Sequence, residues 1–169
     1  VKIDATSGNK PTLMFSFEGL YSTPTAATAP TADFSAFKTP LIVTDANTGD
    51  VVFGGTVASS GAPAISGGTA YPSLGLELDL GHSVSFTPLL GGETADITAR
   101  ALSGAVKLDL TAAQEVTFYG TVLNATLTAI SLLHGTAGGG KVLIHQPSVQ
   151  LYEPSKDELN GRRLIGYRL

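Results

Sequence analysis

The chain has 169 residues, 43% of them hydrophobic and only 14% charged, with a formal net charge of −4. That length carries one domain with a real core; the charged fraction is well below the usual quarter, so part of the surface is expected to be covered by partners. The acidic balance argues against a basic nucleic-acid surface, the lack of cysteine excludes disulfides and thiolate metal sites, and no apolar run approaches the ~18 residues of a membrane span.

Taken in chain order, nearly everything reads as β-strand. Val1, Ile3 and Ala5 alternate with Lys2 and Asp4, and Leu13, Phe15 and Phe17 alternate with Met14 and Ser16. With the Gly8-Asn9-Lys10-Pro11 turn between them, these two runs predict a hairpin. Residues 21–40 are rich in Thr, Pro and Ala, hold no period and predict a long loop. Leu41-Ile42-Val43-Thr44 and Asp50-Val51-Val52-Phe53 flank Asn47-Thr48-Gly49, which predicts a second hairpin. Residues 54–73 are rich in Gly, Ala and Ser and predict a second long loop.

The clearest half-buried strand follows, with Leu76, Leu78 and Leu80 inward and Glu77 and Asp79 outward. Residues 84–86 and 96–99 bracket the loop Pro88–Thr94 as short strands. Val106, Leu108 and Leu110 then point inward against Lys107 and Asp109. Here the period changes. Thr111 followed by Gln114 is a capping box, and Glu115 in the first turn suits the helix dipole. Val116, Tyr119, Val122 and Leu123 recur at helical spacing, with Phe118 beside them, so a helix is expected from Ala112 to about Asn124, in spite of a cost of about 1 kcal/mol for Gly120. Strands return at residues 129–134, 141–145 and 148–152, with Gly135–Gly140 as a flexible hairpin tip. The last stretch alternates Ile165, Tyr167 and Leu169 with Leu164, Gly166 and Arg168, and is expected to lie inside a sheet, ordered to its end. One helix among many antiparallel strands predicts a mainly β fold: an antiparallel β-sandwich or barrel with one flanking helix.

Candidate chemistry is sparse. The run Asp45-Ala46-Asn47-Thr48-Gly49-Asp50 lacks the Gly and the bidentate Glu of a calcium loop at the required places, so a turn is the expected reading. His82, His134 and His145 have no partner at metal-ligand spacing, although a hairpin would bring His134 and His145 near each other. Glu77 and Asp79 lie about 7 Å apart on one strand face, which fits a paired-carboxylate glycosidase loosely, but a cleft with stacking aromatics has no Trp to build it. No phosphate loop and no nucleophile elbow occurs. No catalytic, cofactor or metal residue is expected, and no cofactor. Lys156, Arg162, Arg163 and Arg168 are interleaved with Asp157 and Glu158, a mixture expected to serve ion pairs between subunits.

The segments Ile3–Tyr21 (with GNKPTLMFSFEGLY its most specific part), Thr39–Thr56, Tyr71–Gly81, Pro88–Thr98, Leu108–Phe118 and Pro154–Leu169 together resemble the tail tube proteins of long-tailed bacteriophages and prophages. The resemblance implies a non-enzymatic virion structural protein. It implies a subunit of hexameric rings that stack into a hollow tube, through which DNA passes without specific binding. Tape measure and tail terminator proteins would be its partners and the virion tail its location, after synthesis in the bacterial cytoplasm, with no membrane role. Family members carry more N-terminal sequence, so residues 1–169 are expected to be a single tail-tube-like domain and a fragment, short also of the end of its last strand. Tyr21, Phe34, Phe37 and Tyr71, in or beside the two long loops, are the expected inter-subunit residues; Glu77 and Asp79 are the expected charge facing the lumen. The other reading is a non-enzymatic β-sandwich that recognises carbohydrate or protein on a tail or cell surface.

Overall fold

The alternating leucines and the terminal strand meet in the middle of one sheet. A computed structural model describes residues 1–58 and 60–169. Its elements are β1 (Lys2–Thr6), β2 (Thr12–Met14), β3 (Val51–Phe53), β4 (Thr56–Val57), β5 (Ile65–Ser66), β6 (Thr69–Tyr71), β7 (Ser73–Asp79), β8 (His82–Thr87), β9 (Thr94–Arg100) and β10 (Ser103–Leu108). Helix α1 (Ala112–Leu123) follows, and then β11 (Leu127–His134), β12 (Val142–Gln150), β13 (Tyr152–Leu159) and β14 (Arg162–Arg168). Six strands form one sheet in the order β13-β14-β10-β7-β1-β2, four form a second in the order β12-β11-β3-β6, and β4-β5 and β8-β9 are separate pairs. All pairings are antiparallel. The two larger sheets share one core, which makes the fold a β-sandwich with one helix; the barrel alternative falls, since no closed barrel forms among the described residues.

That core is built from the strand faces the alternation marks. Leu76, Leu78, Val106, Leu108, Ile165 and Tyr167 from the larger sheet meet Val51, Phe53, Ile130 and Leu132 from the smaller. Each such side chain contributes about 1.5–3 kcal/mol on burial. β14 lies between β13 and β10, and the residue after it is still paired: the Leu169 N–H donates to the Gly104 oxygen at 3.0 Å and the Gly104 N–H returns a bond at 3.2 Å. Leu151 is the buried pivot between β12 in one sheet and β13 in the other.

Several expected elements differ: β2 ends at Met14, short of Phe15 and Phe17, and the strands expected at 141–145 and 148–152 are the single β12, followed by β13. Leu41–Thr44 forms no strand and no hairpin with β3. Val43 turns back onto the β1–β2 hairpin instead, donating to the Asn9 oxygen and accepting from the Gly8 N–H, both at 2.8 Å. Asn47 holds the turn, accepting from the Thr44 N–H at 3.1 Å and donating to the Ile42 oxygen at 2.7 Å. β3, whose Val51 and Phe53 are buried, pairs with β11 and β6, where core neighbours wait. The stretch 54–73 is not a plain loop: it holds β4, β5 and β6 and leads straight into β7.

The helix begins as expected. Thr111 Oγ1 accepts from the Gln114 N–H at 3.3 Å, and Gln114 Oε1 accepts from the Thr111 N–H at 2.8 Å. Its buried face is rotated from the expected one. Val116 is 72% exposed and Leu123 is also exposed, whereas Glu115 and Phe118 are buried and Val122 packs at the core margin. Phe118 anchors the helix, with ring centroids 5.5 Å from Tyr167, 5.2 Å from Phe53 and 5.1 Å from Tyr71.

The two outer strands of the larger sheet are unlike. β13 carries Pro154, which has no N–H to offer, a register shift between Tyr152 and Ser155, a left-handed residue at Glu153 (φ 46°), and the charges of Lys156, Asp157 and Glu158. All of these blunt an edge. β2 is three exposed residues, Thr-Leu-Met, with none of these devices.

Candidate assembly surfaces

The β7–β10 ladder does not stop at the edge of the sandwich. Asp79 faces Ser103, and the next ladder pair in the same register is His82 with Arg100. β8 and β9 are thus the outward continuation of β7 and β10, bent at Gly81. Gly81 has φ 55° and lies so close to the Ala101 oxygen that a Cβ there has no room. The resulting arm is exposed along its length, including Val84, Phe86 and Ile97, and its tip carries Leu89 and a fully exposed Leu90. An isolated two-stranded hairpin is marginal in water, so an apolar arm of this kind wants a cover. The alternation of Val84, Phe86 and Ile97 is legible in the chain, but not the fact that the described residues leave all three partly exposed.

A second apolar surface follows β2. Phe15 and Phe17 stack at 6.0 Å between ring centroids and stay exposed. Of the expected inter-subunit aromatics, Tyr21, Phe34 and Phe37 are exposed, the latter two in one turn closed by the Phe37 N–H on the Phe34 oxygen at 3.0 Å. Tyr71 is elsewhere: it is half-buried in β6, edge-on to Phe53 at 5.8 Å and to Phe118.

Glu77 and Asp79 share the outer face of the larger sheet, opposite Asp4 and Lys2. Asp79 Oδ1 accepts from the Gly81 N–H at 2.9 Å and Asp79 Oδ2 pairs with Lys2 Nζ at 3.3 Å. The Gly81 bond is the chief cause, with Lys2 adding to it, that holds this carboxyl below its ordinary range against the opposing effect of desolvation. Glu77 is exposed and has no ion-pair partner among the described residues.

The basic residues near the C-terminus are occupied within the subunit rather than left for a neighbour. Arg163 reaches Glu115 Oε2 at 2.6 Å and Lys156 reaches Glu115 Oε1 at 3.4 Å; Arg162 pairs with Asp109 and Arg168 with Glu153. Glu115 is thus a nearly buried carboxylate that ties α1 to β13 and β14. One signal in the chain pointed to it: Arg163 has the parity of Ile165 and Tyr167 and shares their inward side. Histidines 134 and 145 do not meet. The Nδ1 of His134 is 2.8 Å from Thr48 Oγ1, and that of His145 is 2.8 Å from Ser131 Oγ. Among the described residues no group of three His, Asp or Glu side chains could hold a metal, and no helix is long and apolar enough to cross a membrane.

The class so defined is a β-sandwich whose prominent surfaces are strand edges and loops with exposed apolar side chains. The family model described as phage tail tube protein matches residues 1–166, and the chain belongs to that family. It is a structural protein of the phage tail and a component of the virion. No curated protein and no solved structure matches the chain.

Proposed function

We propose that this chain is the repeating subunit of the tube itself, closing into hexameric rings that stack into a hollow conduit for DNA, in a phage or a prophage. The observation that carries this reading is the β8–β9 arm, a two-stranded element beyond the sandwich that leaves Val84, Phe86 and Ile97 exposed, with Leu89 and Leu90 at its tip. Tyr21, Phe34 and Phe37 supply further contact between subunits, and Tyr71 contributes the rim it leaves exposed. Contacts between unlike patches suit a head-to-tail ring, since a heterologous interface closes when its rotation does. The tape measure and tail terminator are the expected partners at the lumen and at the tube's end, and assembly follows synthesis in the host cytoplasm.

The outer face of the larger sheet is the proposed lumen wall. Three cations on or beside it, Lys2, Lys107 and Arg168, are each matched by a carboxylate, Asp79, Asp157 and Glu153. Asp4 and Glu77, opposite one another, are left without a cation. A wall of that balance repels a polyanion and lets it slide. Negative-stain electron microscopy and sedimentation over a wide concentration range test the reading. Rings of about six subunits, or tubes, are expected; a chain that stays monomeric throughout sinks it.

A further inference from the structure

The cations that lack a carboxylate are gathered at one end of the sandwich. Lys2, Lys107, Lys156, Arg162, Arg163 and Arg168 are all in ion pairs; Lys10, Lys38, Arg100 and Lys141 have no such partner among the described residues. Lys38 and Lys141 line one open hollow of about 530 Å³, and Lys10 directly precedes Pro11 on its wall. Pro40, Leu41 and Val142 give this hollow an apolar lining, with Leu41 and Val142 exposed in it, and the nearly buried His134 lies among its walls. Asp45 shares a neighbouring hollow with Lys141 but forms no ion pair with it.

The hollow and the β8–β9 arm lie off opposite ends of β7. At its Gly75 end the chain of β1 turns away, with the Ser7 N–H on the Leu74 oxygen and the Gly8 N–H on the Val43 oxygen, both at 2.8 Å. The strand-like bridge between Thr48 and His134 is on this side too, and Gly135 donates to the Asn47 oxygen at 2.7 Å. At the Asp79 end the arm begins. The seven residues of β7 keep the two ends roughly 20 Å apart. The arm's tip has the chemistry that the hollow calls for. Leu89 and Leu90 are exposed on a turn closed by the Gly92 N–H on the Leu89 oxygen at 3.2 Å. Glu93, beside them, is exposed and has no ion-pair partner among the described residues. Two leucines and a carboxylate on one tip match an apolar hollow flanked by two lysines.

We propose that the Leu89–Glu93 tip of one copy seats in the hollow of a second copy in the next ring. Leu89 and Leu90 lie against Pro40, Leu41 and Val142, and the Glu93 carboxylate lies between the ammonium groups of Lys38 and Lys141. The leucines supply apolar burial; the charges fix the register and reject wrong approaches. Because tip and hollow are at opposite ends, the contact is heterologous and repeats in one direction. Two hollows brought face to face would set lysine against lysine, so the stack has a single polarity. This inference rests on the tube-subunit reading and names the contact that joins one ring to the next.

A charge exchange tests it. Glu93→Lys is one full-length protein and the paired change Lys38→Glu, Lys141→Glu is another. Neither alone should form tubes, since each sets like charges together. An equimolar mixture should form them, because each tip then finds a hollow of opposite sign. Tubes from either variant alone, or none from the mixture, overturn the proposal. The cysteine-free chain allows a second measurement that does not depend on those variants. Leu90→Cys and Leu41→Cys are prepared separately, mixed, assembled and oxidised; a disulfide needs Cα atoms within roughly 7 Å. A linked dimer is expected, with a peptide joining the two substituted positions by mass spectrometry, at least tenfold above a mixture of Leu90→Cys with Ala113→Cys. An intramolecular disulfide when both changes are placed in one chain shows the tip reaching its own hollow and overturns the proposal. Tubes without the crosslink also overturn it and leave the tube reading intact; no assembly by the unsubstituted protein removes both.

Discussion

Replacing Phe118 by Ala tests how the helix is held. The sequence pattern puts Val116, Tyr119, Val122 and Leu123 on the buried face, whereas Phe118 is only 6% exposed and touches three aromatic rings from both sheets. Phe→Ala in a core costs about 3–5 kcal/mol, from lost transfer energy and the cavity left behind. The ring pairs account for some of that, at about 0.5–1.5 kcal/mol each. Against a total stability of about 5–15 kcal/mol, the variant loses about a fifth or more. At about 2–4 °C per kcal/mol for a chain of this size, the melting temperature should fall by about 6–20 °C. Val116→Ala, on the solvent side, should change stability by less than about 0.5 kcal/mol. Both are read by differential scanning calorimetry on protein kept dilute enough to be unassembled. A Phe118→Ala melt within 2 °C of the parent, or a larger loss for Val116→Ala, would show that the helix packs by its other face.

Four other expectations follow from local contacts. Thr111→Ala breaks the capping box and should cost about 1 kcal/mol by urea titration; no loss would mean the cap is not formed. Glu115→Gln and Arg163→Met, combined in a double-mutant cycle, should show a coupling of about 1 kcal/mol, kept small because the Arg163 head is half in water; zero coupling refutes the tie between helix and sheet. Gly75→Ala places a Cβ against the Ala5 oxygen at φ 114°, so it should cost more than about 2 kcal/mol and loosen β1; hydrogen exchange at Ile3 and Ala5 reports it. Burial, with lesser effects from Tyr119 and Glu115, pushes the Tyr167 phenol up to about 12. The unfolded chain ionises this group near 10, so its contribution is intact below about pH 10 and is lost as pH rises towards 12. Tyr167→Phe, which removes a hydroxyl with no hydrogen-bond partner among the described residues, should keep neutral-pH stability and flatten that alkaline decline; an unchanged decline refutes the assignment.

What could be read from the chain was whatever is local or strictly periodic. The Thr111–Gln114 reciprocity needs four residues and nothing else, and it formed as expected. Leu76 and Leu78, and Ile165 and Tyr167, take the faces that alternation assigns. Partners distant in sequence were not legible. Asn47-Thr48-Gly49 looks the same whether it closes a hairpin or caps a turn, and the choice fell to β11, some eighty residues on, which offered Ile130 beside Phe53. Strands of two or three residues such as β4, β5 and β6 are too short to show a period. The helix face was misjudged because Glu115 was read only for its fit to the helix dipole: with Glu115 counted in the buried face, Glu115, Phe118 and Val122 form one stripe at spacings of three and four. The acceptors of Arg162, Arg163 and Arg168 were hidden for the same reason, since composition shows a mixed-sign cluster but not which carboxylate each cation reaches. Among the surface residues, Tyr21, Phe34 and Phe37 came out of plain loop composition, while the arm's exposure depends on what the rest of the fold fails to cover.

The unlike borders of the larger sheet give this molecule a direction. A sheet with two bare borders can accrete copies from either side, which is the geometry of runaway fibres. Here Pro154, the kink at Glu153 and a row of charges make β13 a terminus, while β2 stays receptive. Accretion through this sheet is then one-sided, and any copy joining at its open border must present something other than β13.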